Sequence, residues 1–488
     1  KKWRNYITSV NYTLEHNEIR NRSSDSVNLQ SFKFSTIQMA LRSNPDKANK
    51  WSLTWFNRTD AYPIGKSLVK ADRSSNVNLQ VELLKSERHQ FRFNTTYRRL
   101  HVITDSISGL KSDNSLLGRA EYLINEWKGL LTGNILYETG AGQEQKRDVT
   151  YVEVPAGQGE YTWNDYNNDG VQQLNEFEVA LFRDQANYIR IFTPTNEFIK
   201  ANYNTFNYSF NINPRAAIDL ASAGGFQKFL ARLNWQSSLQ INKKEISDGH
   251  LQLNPFKTSI GDTSLIALTS ILVNTFSFNR FSPRWGFDVS NTRNGNKALL
   301  TYGYESRDVR DWTVKSRLNI SKSFLLELSG RSGTNSLASS NIKFDNRNYH
   351  IKQHSLEPQL SFTRKTNFRI MMGYKLTSRK NTQGAMEVSQ INSLNSEIKY
   401  NILQSTSLLG RFTYSNISFH SMDAVPNANS PAAYIILDGL LPGKNFLWNL
   451  NLTKRLSNNL EINIEYEGRK PGSGRVVHIG RASVRALL

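Results

Sequence analysis

The feature that most constrains this chain is an apolar–polar alternation of period two, sustained over runs longer than globular strands. Phe446, Trp448, Leu450 and Leu452 fall on one face, and Asn449, Asn451 and Thr453 on the other. Leu460, Ile462, Ile464 and Tyr466 then alternate with Glu461, Asn463, Glu465 and Glu467. The same pattern returns in Trp312, Val314, Leu318 and Ile320 against Thr313, Lys315, Arg317 and Asn319, and in Phe91, Phe93 and Tyr97 against Arg92, Asn94 and Arg98. Successive side chains of a strand point to opposite faces, so each run predicts a strand with one apolar face. Alternation alone fits a sandwich as well as a barrel. Length separates them: these runs cover about 10 to 16 residues, where globular strands average about 5 to 6 and membrane strands need about 9 to 11.

The connections point the same way. Short turns are expected at Ser86–Glu87, 127–129, 282–284, 321–323, Lys365–Thr366, Gln404–Ser405 and 457–459. Longer polar loops are expected between them, at 104–114, 139–198, 243–267, 292–307, 334–346, 380–387 and 421–443. Short periplasmic turns alternating with long external loops organise outer-membrane barrels. Residues 1–488 therefore read as one closed, antiparallel transmembrane β-barrel of about 20 strands (range roughly 16–22), with both termini periplasmic. Closure follows from the solvent, because an open edge in lipid leaves backbone groups unpaired. The last strand places Gly480, Ala482, Val484, Ala486 and Leu488 outward and Arg481, Ser483 and Arg485 inward, predicting Arg–Glu pairs with Glu461, Glu465 and Glu467.

Composition agrees with a polar lumen and an aromatic exterior. Mean hydropathy is −0.53, yet the chain holds 9 Trp, 20 Tyr and 25 Phe. Its most apolar stretch, Leu265 to Val273, is about half of what a spanning helix needs. The formal charge of +20 is interleaved along the strands. It predicts basic walls and rims that meet the lipid bilayer and lipopolysaccharide phosphates; no nucleic-acid motif accompanies it. Absence of cysteine leans towards the cell envelope. No signal peptide is visible, and the chain opens directly on a strand-like pattern at Lys1–Trp3, so a preceding region is expected to be missing.

One segment carries chemistry. Residues 165–176 match the twelve-residue calcium loop, with Asp165, Asn167 and Asp169 at positions 1, 3 and 5, the Val171 carbonyl at 7, Gln173 at 9 and Glu176 at 12. Calcium takes six to eight oxygens, and these residues supply them; Gly170 permits the sharp turn at position 6. Gln172 stands where paired hands carry an apolar residue, and 157–163 is not helical, whereas Phe177, Ala180 and Leu181 follow helical spacing. The reading is a solitary structural calcium loop that stiffens the external insertion 139–198. No catalytic motif is present: the eight histidines are scattered, and His350 and His354, four apart on a strand, lie more than about 10 Å from each other.

The segment 154–170 (Val-Pro-Ala-Gly-Gln-Gly-Glu-Tyr-Thr-Trp-Asn-Asp-Tyr-Asn-Asn-Asp-Gly) with 174–178, and the ending at 440–448, 466–470 and 478–488, resemble large outer-membrane β-barrel proteins of the Bacteroidota. That resemblance covers these motifs and the general layout, and implies location and fold more than activity. One departure is the final Leu488, where barrels commonly end in Phe. Two roles are expected for a non-enzymatic barrel of this kind. The first is a structural or accessory subunit of a multi-protein envelope complex for outer-membrane protein assembly, secretion or surface export, with other outer-membrane proteins or lipoproteins as partners. The apolar run Tyr434 to Leu437 in the loop 421–443 supports it. The alternative is a channel or substrate-selective transporter with a basic lumen, plugged by an inward-folded 139–198.

Overall fold

A computed structural model describes the chain except residues 1, 4–5, 23, 106, 109–111, 248–251, 257–264, 301–302, 341, 403–404, 423–429, 458–459 and 487–488. Seven long strands come first after the two-residue β1 (Lys2–Trp3): β2 (Tyr6–Asn17), β3 (Phe32–Ser43), β4 (Asn49–Ile64), β5 (Ser67–Leu83), β6 (His89–Val102), β7 (Asp113–Glu126) and β8 (Leu131–Glu153). An insertion follows, with only the short β9 (Tyr161–Trp163) and β10 (Phe177–Val179). The chain resumes with β11 (Tyr188–Ile212), the helix α1 (Gly225–Leu230), β12 (Leu233–Ile246), β13 (Leu265–Phe278), β14 (Trp285–Leu300), β15 (Gly303–Asn319) and β16 (Phe324–Ser339). It ends with β17 (Tyr349–Arg364), β18 (Phe368–Asn381), β19 (Val388–Ile402), β20 (Thr406–His420), the helix α2 (Pro431–Ile436), β21 (Gly443–Ser457), β22 (Leu460–Lys470) and β23 (Val477–Ala486). Seven strands from β2 to β8 and thirteen from β11 to β23 give twenty strands of ten or more described residues.

The fold class is the one expected: all-β, antiparallel, up-and-down, of the kind outer-membrane barrels are built from. All strands join one sheet. From β1 to β8 each strand pairs with its sequence neighbour, and the same holds from β14 to β23. Contacts divide the chain into two units. One is 1–146, 196–217 and 237–270; the other is 147–195, 218–236 and 271–488.

Register in the second unit turns the alternation into two continuous faces. Leu328 lies opposite Pro358, Leu360 opposite Met372, Tyr374 opposite Leu394, Phe412 opposite Trp448 and Leu450 opposite Tyr466. Leu360, Met372, Leu394, Phe412 and Leu450 are all exposed. An exposed apolar face running across so many strands far exceeds what a water-soluble monomer tolerates, and matches a lipid-facing one. On the other face Arg481 reaches Glu465 and Glu467 at 3.4 and 3.3 Å, as the alternation predicted. Arg411 meets Glu397 at 2.8 Å, and Arg331 meets Asp311 at 2.7 Å. No described helix is long and apolar enough to cross a membrane.

Several connections differ from expectation. Strands β8 and β11 run on to Glu153 and back from Tyr188, so the insertion proper is 154–187 rather than 139–198. The expected loop 292–307 is mostly hairpin, since β14 and β15 pair from Trp285–Leu318 to Leu300–Gly303; polar residues there alternate faces as strand residues do. Between β11 and β12 the chain spends 213–232 on a connection holding α1, which none of the expected turns covered. The expected turns at Gln404 and Asn458–Asn459, and Leu488, lie outside the described residues.

Candidate functional site: the insertion and its seat on the polar face

Local chemistry builds the insertion as a β-pinched loop. Strands β9 and β10 pair antiparallel, with Trp163 opposite Phe177 and Tyr161 opposite Val179. Phe177 through Val179 are therefore strand, and the helical continuation expected after Glu176 is absent; five residues are too few for a 3.6-residue period to decide against pairing. The return is clamped by Val154 N donating to Asn187 O at 2.7 Å and Gly159 N donating to Ala186 O at 2.8 Å. A Cβ on Gly159 would meet Tyr188 N at 2.6 Å and Ala186 O at 2.8 Å, so only glycine fits this approach. Tyr151 stacks on Phe177 with centroids 4.1 Å apart, and Phe177 meets Tyr188 edge-on at 5.0 Å.

Within the pinch, the sequence-predicted metal residues come together in part. Carboxylate oxygens of Asp165, Asp169 and Glu176 all lie within 4.8 Å of one another. Asp165 accepts from the backbone of Asp169 at 3.2 Å and of Gly170 at 2.9 Å, and Gly170 has φ +72°. Asn167 and Gln173 turn their amide nitrogens to Asp169 Oδ2, at 2.8 and 2.7 Å. Val171 N donates to Asp169 Oδ1 at 2.7 Å. Glu176 is buried and accepts from Trp163 Nε1 at 2.8 Å. Gln172, the departure at position 8, donates to the Tyr188 hydroxyl at 2.8 Å and so ties the loop to β11.

The far side of the insertion is seated on the polar face of the second unit. Arg469 on β22 grips Asp184 with two bonds of 2.5 and 2.7 Å and lies over the Phe182 ring at 4.4 Å. Arg347, itself buried, bonds Glu305 at 3.1 Å and approaches Glu178 at 3.4 Å. Burial pushes the Glu178 carboxyl above its ordinary range, with Arg347 opposing. Burial likewise raises the Tyr166 and Tyr434 hydroxyls. Leu181 N donates to the Tyr434 hydroxyl at 3.1 Å, joining the insertion to α2.

Helix α2 corrects one expectation. Within Tyr434 to Leu437, the chain itself covers Ile436 and Leu437, while Tyr434 and Ile435 stay half-buried. Ala433 and Ile436 are fully buried and Leu437 nearly so, against Leu337, Tyr349, Ile351, Ile391 and Ile417. Arg379 donates to Ile436 O at 2.9 Å and pairs with Asp438 at 2.8 Å. Sequence reading missed this seat, although its signal exists: Ile351, Ile391 and Ile417 are apolar at the polar parity of neighbouring strands, all at the loop end. Between the insertion and the wall remains a cavity of about 240 Å³, lined by Arg183, Asp184, Arg411, Asn449, Glu467 and Arg469 among others.

Together these features define a class: a strand-built protein with a lipid-type apolar face, whose insertion and α2 segment seat on the polar face of its own sheet. No family model matches the chain, and no curated protein matches it. Among solved structures, it is similar to the siderophore receptor PirA from Pseudomonas aeruginosa, at 9% identity and a TM-score of 0.40, covering 99% of this chain and 74% of that one. The FrpB iron transporter from Neisseria meningitidis gives 11% and 0.38, covering 99% and 78%. The copper transporter OprC gives 10% and 0.38, covering 98% and 75%.

Proposed function

We propose that this chain is an outer-membrane β-barrel of the channel or transporter type, kept shut by its own insertion. The observation that carries the reading is the seating of 174–184 on the polar face through Arg469–Asp184 and the Arg347–Glu178–Glu305 cluster. A polar, charge-lined face opposite a lipid-facing one serves solutes crossing a membrane, and a loop pinned there obstructs them. The apolar face supports closure of the sheet, since lipid cannot satisfy an open edge. In this reading both termini are periplasmic, and the basic rims meet lipopolysaccharide. The role as an accessory subunit of an envelope complex has less support from Tyr434–Leu437, because Ile436 and Leu437 are buried within the chain. No catalytic residue is assigned.

The test is ion conductance in planar bilayers, comparing the intact chain with one in which 155–186 is replaced by a short Gly–Ser linker. A quiet parent and a steadily conducting deletion are expected. Silence of both, with partner proteins co-purifying, would restore the subunit reading.

We further infer a structural calcium ion in 165–176, held by Asp165, Asn167, Asp169, Glu176, the Val171 carbonyl and Gln173. The convergence of three carboxylates supports the fit, and an ion would relieve their mutual repulsion. Terbium luminescence sensitised through Trp163 and displaced by calcium is expected, and should vanish in Asp169→Ala; an unchanged signal in that variant removes the metal from this loop.

A further inference from the structure

We propose that the polar face of β3 to β5 carries a binding subsite for an acidic oligosaccharide. This names a solute class for the channel reading and rests on that reading only for its consequence, because binding is measured without conduction.

A cavity of about 680 Å³ lies here, wholly within the first unit, lined mainly by the even-numbered residues of β3 to β5, with Ser43, Pro45 and Trp51 at the β3–β4 connection. Its volume is that of a site for an oligomer of a few rings. Unlike most such sites, its lining is dominated by amides, hydroxyls and cations rather than aliphatic groups. Register lays these out as a grid: Gln38 lies opposite Phe56 and Arg42 opposite Ser52, while Ser52 lies opposite Gln80 and Thr54 opposite Asn78. Carboxamides offer a donor beside an acceptor and guanidinium groups offer paired donors, both suited to hydroxyls and carboxylates of a sugar, and the half-buried Phe56 gives an apolar ring against which a sugar face can rest.

Charge decides the acidic class. Arg42 and Lys50 lie on one face at diagonal positions, about 7–8 Å apart by strand geometry. Neither has a carboxylate within ion-pair distance among the described residues. That holds even though Glu82 stands directly opposite Lys50, because the Glu82 carboxylate accepts from Gln80 Nε2 at 2.9 Å. Arg58, the third cation of the lining, is already committed to Asp60 at 2.8 Å and to the Phe34 ring at 4.1 Å. Two cations with no ion pair among the described residues, over a bed of amides and hydroxyls, suit a chain whose sugars carry carboxylates.

Isothermal titration of the folded full chain in detergent tests this with three probes: hexagalacturonate, maltohexaose and tripolyphosphate. Hexagalacturonate is expected to bind, and maltohexaose, which lacks the carboxylates, and tripolyphosphate, which lacks the sugar rings, each at least about tenfold more weakly. Arg42→Gln with Lys50→Gln should weaken hexagalacturonate about tenfold, and Phe56→Leu should weaken it while leaving the weak tripolyphosphate response unchanged. Equal binding of tripolyphosphate reduces the site to a basic patch and overturns the proposal, as does equal binding of maltohexaose or no binding of hexagalacturonate. A conducting insertion deletion with no sugar binding sinks the subsite alone; sugar binding by a chain that never conducts sinks the channel alone.

Discussion

Arg469 and Asp184 stand 285 positions apart in sequence and are joined by two charge-assisted hydrogen bonds of 2.5 and 2.7 Å. Arg469 is mostly buried, with 11% of its side chain exposed against 22% for Asp184, so the pair is shielded from water more than a surface pair. Its Phe182 contact packs the guanidinium from the side.

Removing one partner should therefore free the insertion. Asp184→Ala is expected to weaken its docking by about 1–3 kcal/mol, read as faster proteolysis within 154–187 and as brief openings in single-channel recordings. The double variant with Arg469→Ala should be no worse than the single one. A single variant as protease-resistant as the parent would show that the pair does not hold the insertion.

Glu178 predicts a pH dependence with a definite sign. Its folded-state value is raised above the ordinary 4.5 by burial, with Arg347 acting against that rise. A raised acid contributes docking stability that is complete below its ordinary value and lost as pH rises through the folded value. The insertion should thus be more protected in mild acid than at neutral pH. Glu178→Gln should flatten that dependence; an equally steep profile in this variant assigns it to another group.

Helix α2 is a core element on a small scale. Ile436→Ser removes most of a fully buried side chain from the cluster with Leu337, Tyr349 and Ile351. A loss of about 2–4 kcal/mol is expected for that local unit, measurable by hydrogen exchange of 430–442. Exchange unchanged from the parent would mean that the helix is held by its polar contacts with Arg379 and Ser389.

Parity on β21 gives the sharpest test of the lipid face. Leu450→Arg should lower folding stability in bilayers by about 2–4 kcal/mol at mid-depth, followed in urea titrations. Asn451→Arg, one residue on and opposite Glu465, should change it by well under half as much. Equal effects would mean that the two faces do not meet different solvents.

What the chain order alone determined is whatever backbone geometry repeats locally. A strand reverses its side chains every residue, so Leu450 and Asn451 announced their faces without a partner in view. The position of Gly170 and the carboxylates of 165–176 likewise announced a tight loop, because its bonds join residues at most five apart. Tertiary structure decided the rest. Phe177 became strand because Trp163 was available to pair with it, and Ile436 and Leu437 found their cover at Ile351, Ile391 and Ile417. Asp184 met Arg469 only once the eleven strands between them in the chain had formed. Pairing energy depends on distance in space, and separation along the chain carries no record of it until the sheet is formed.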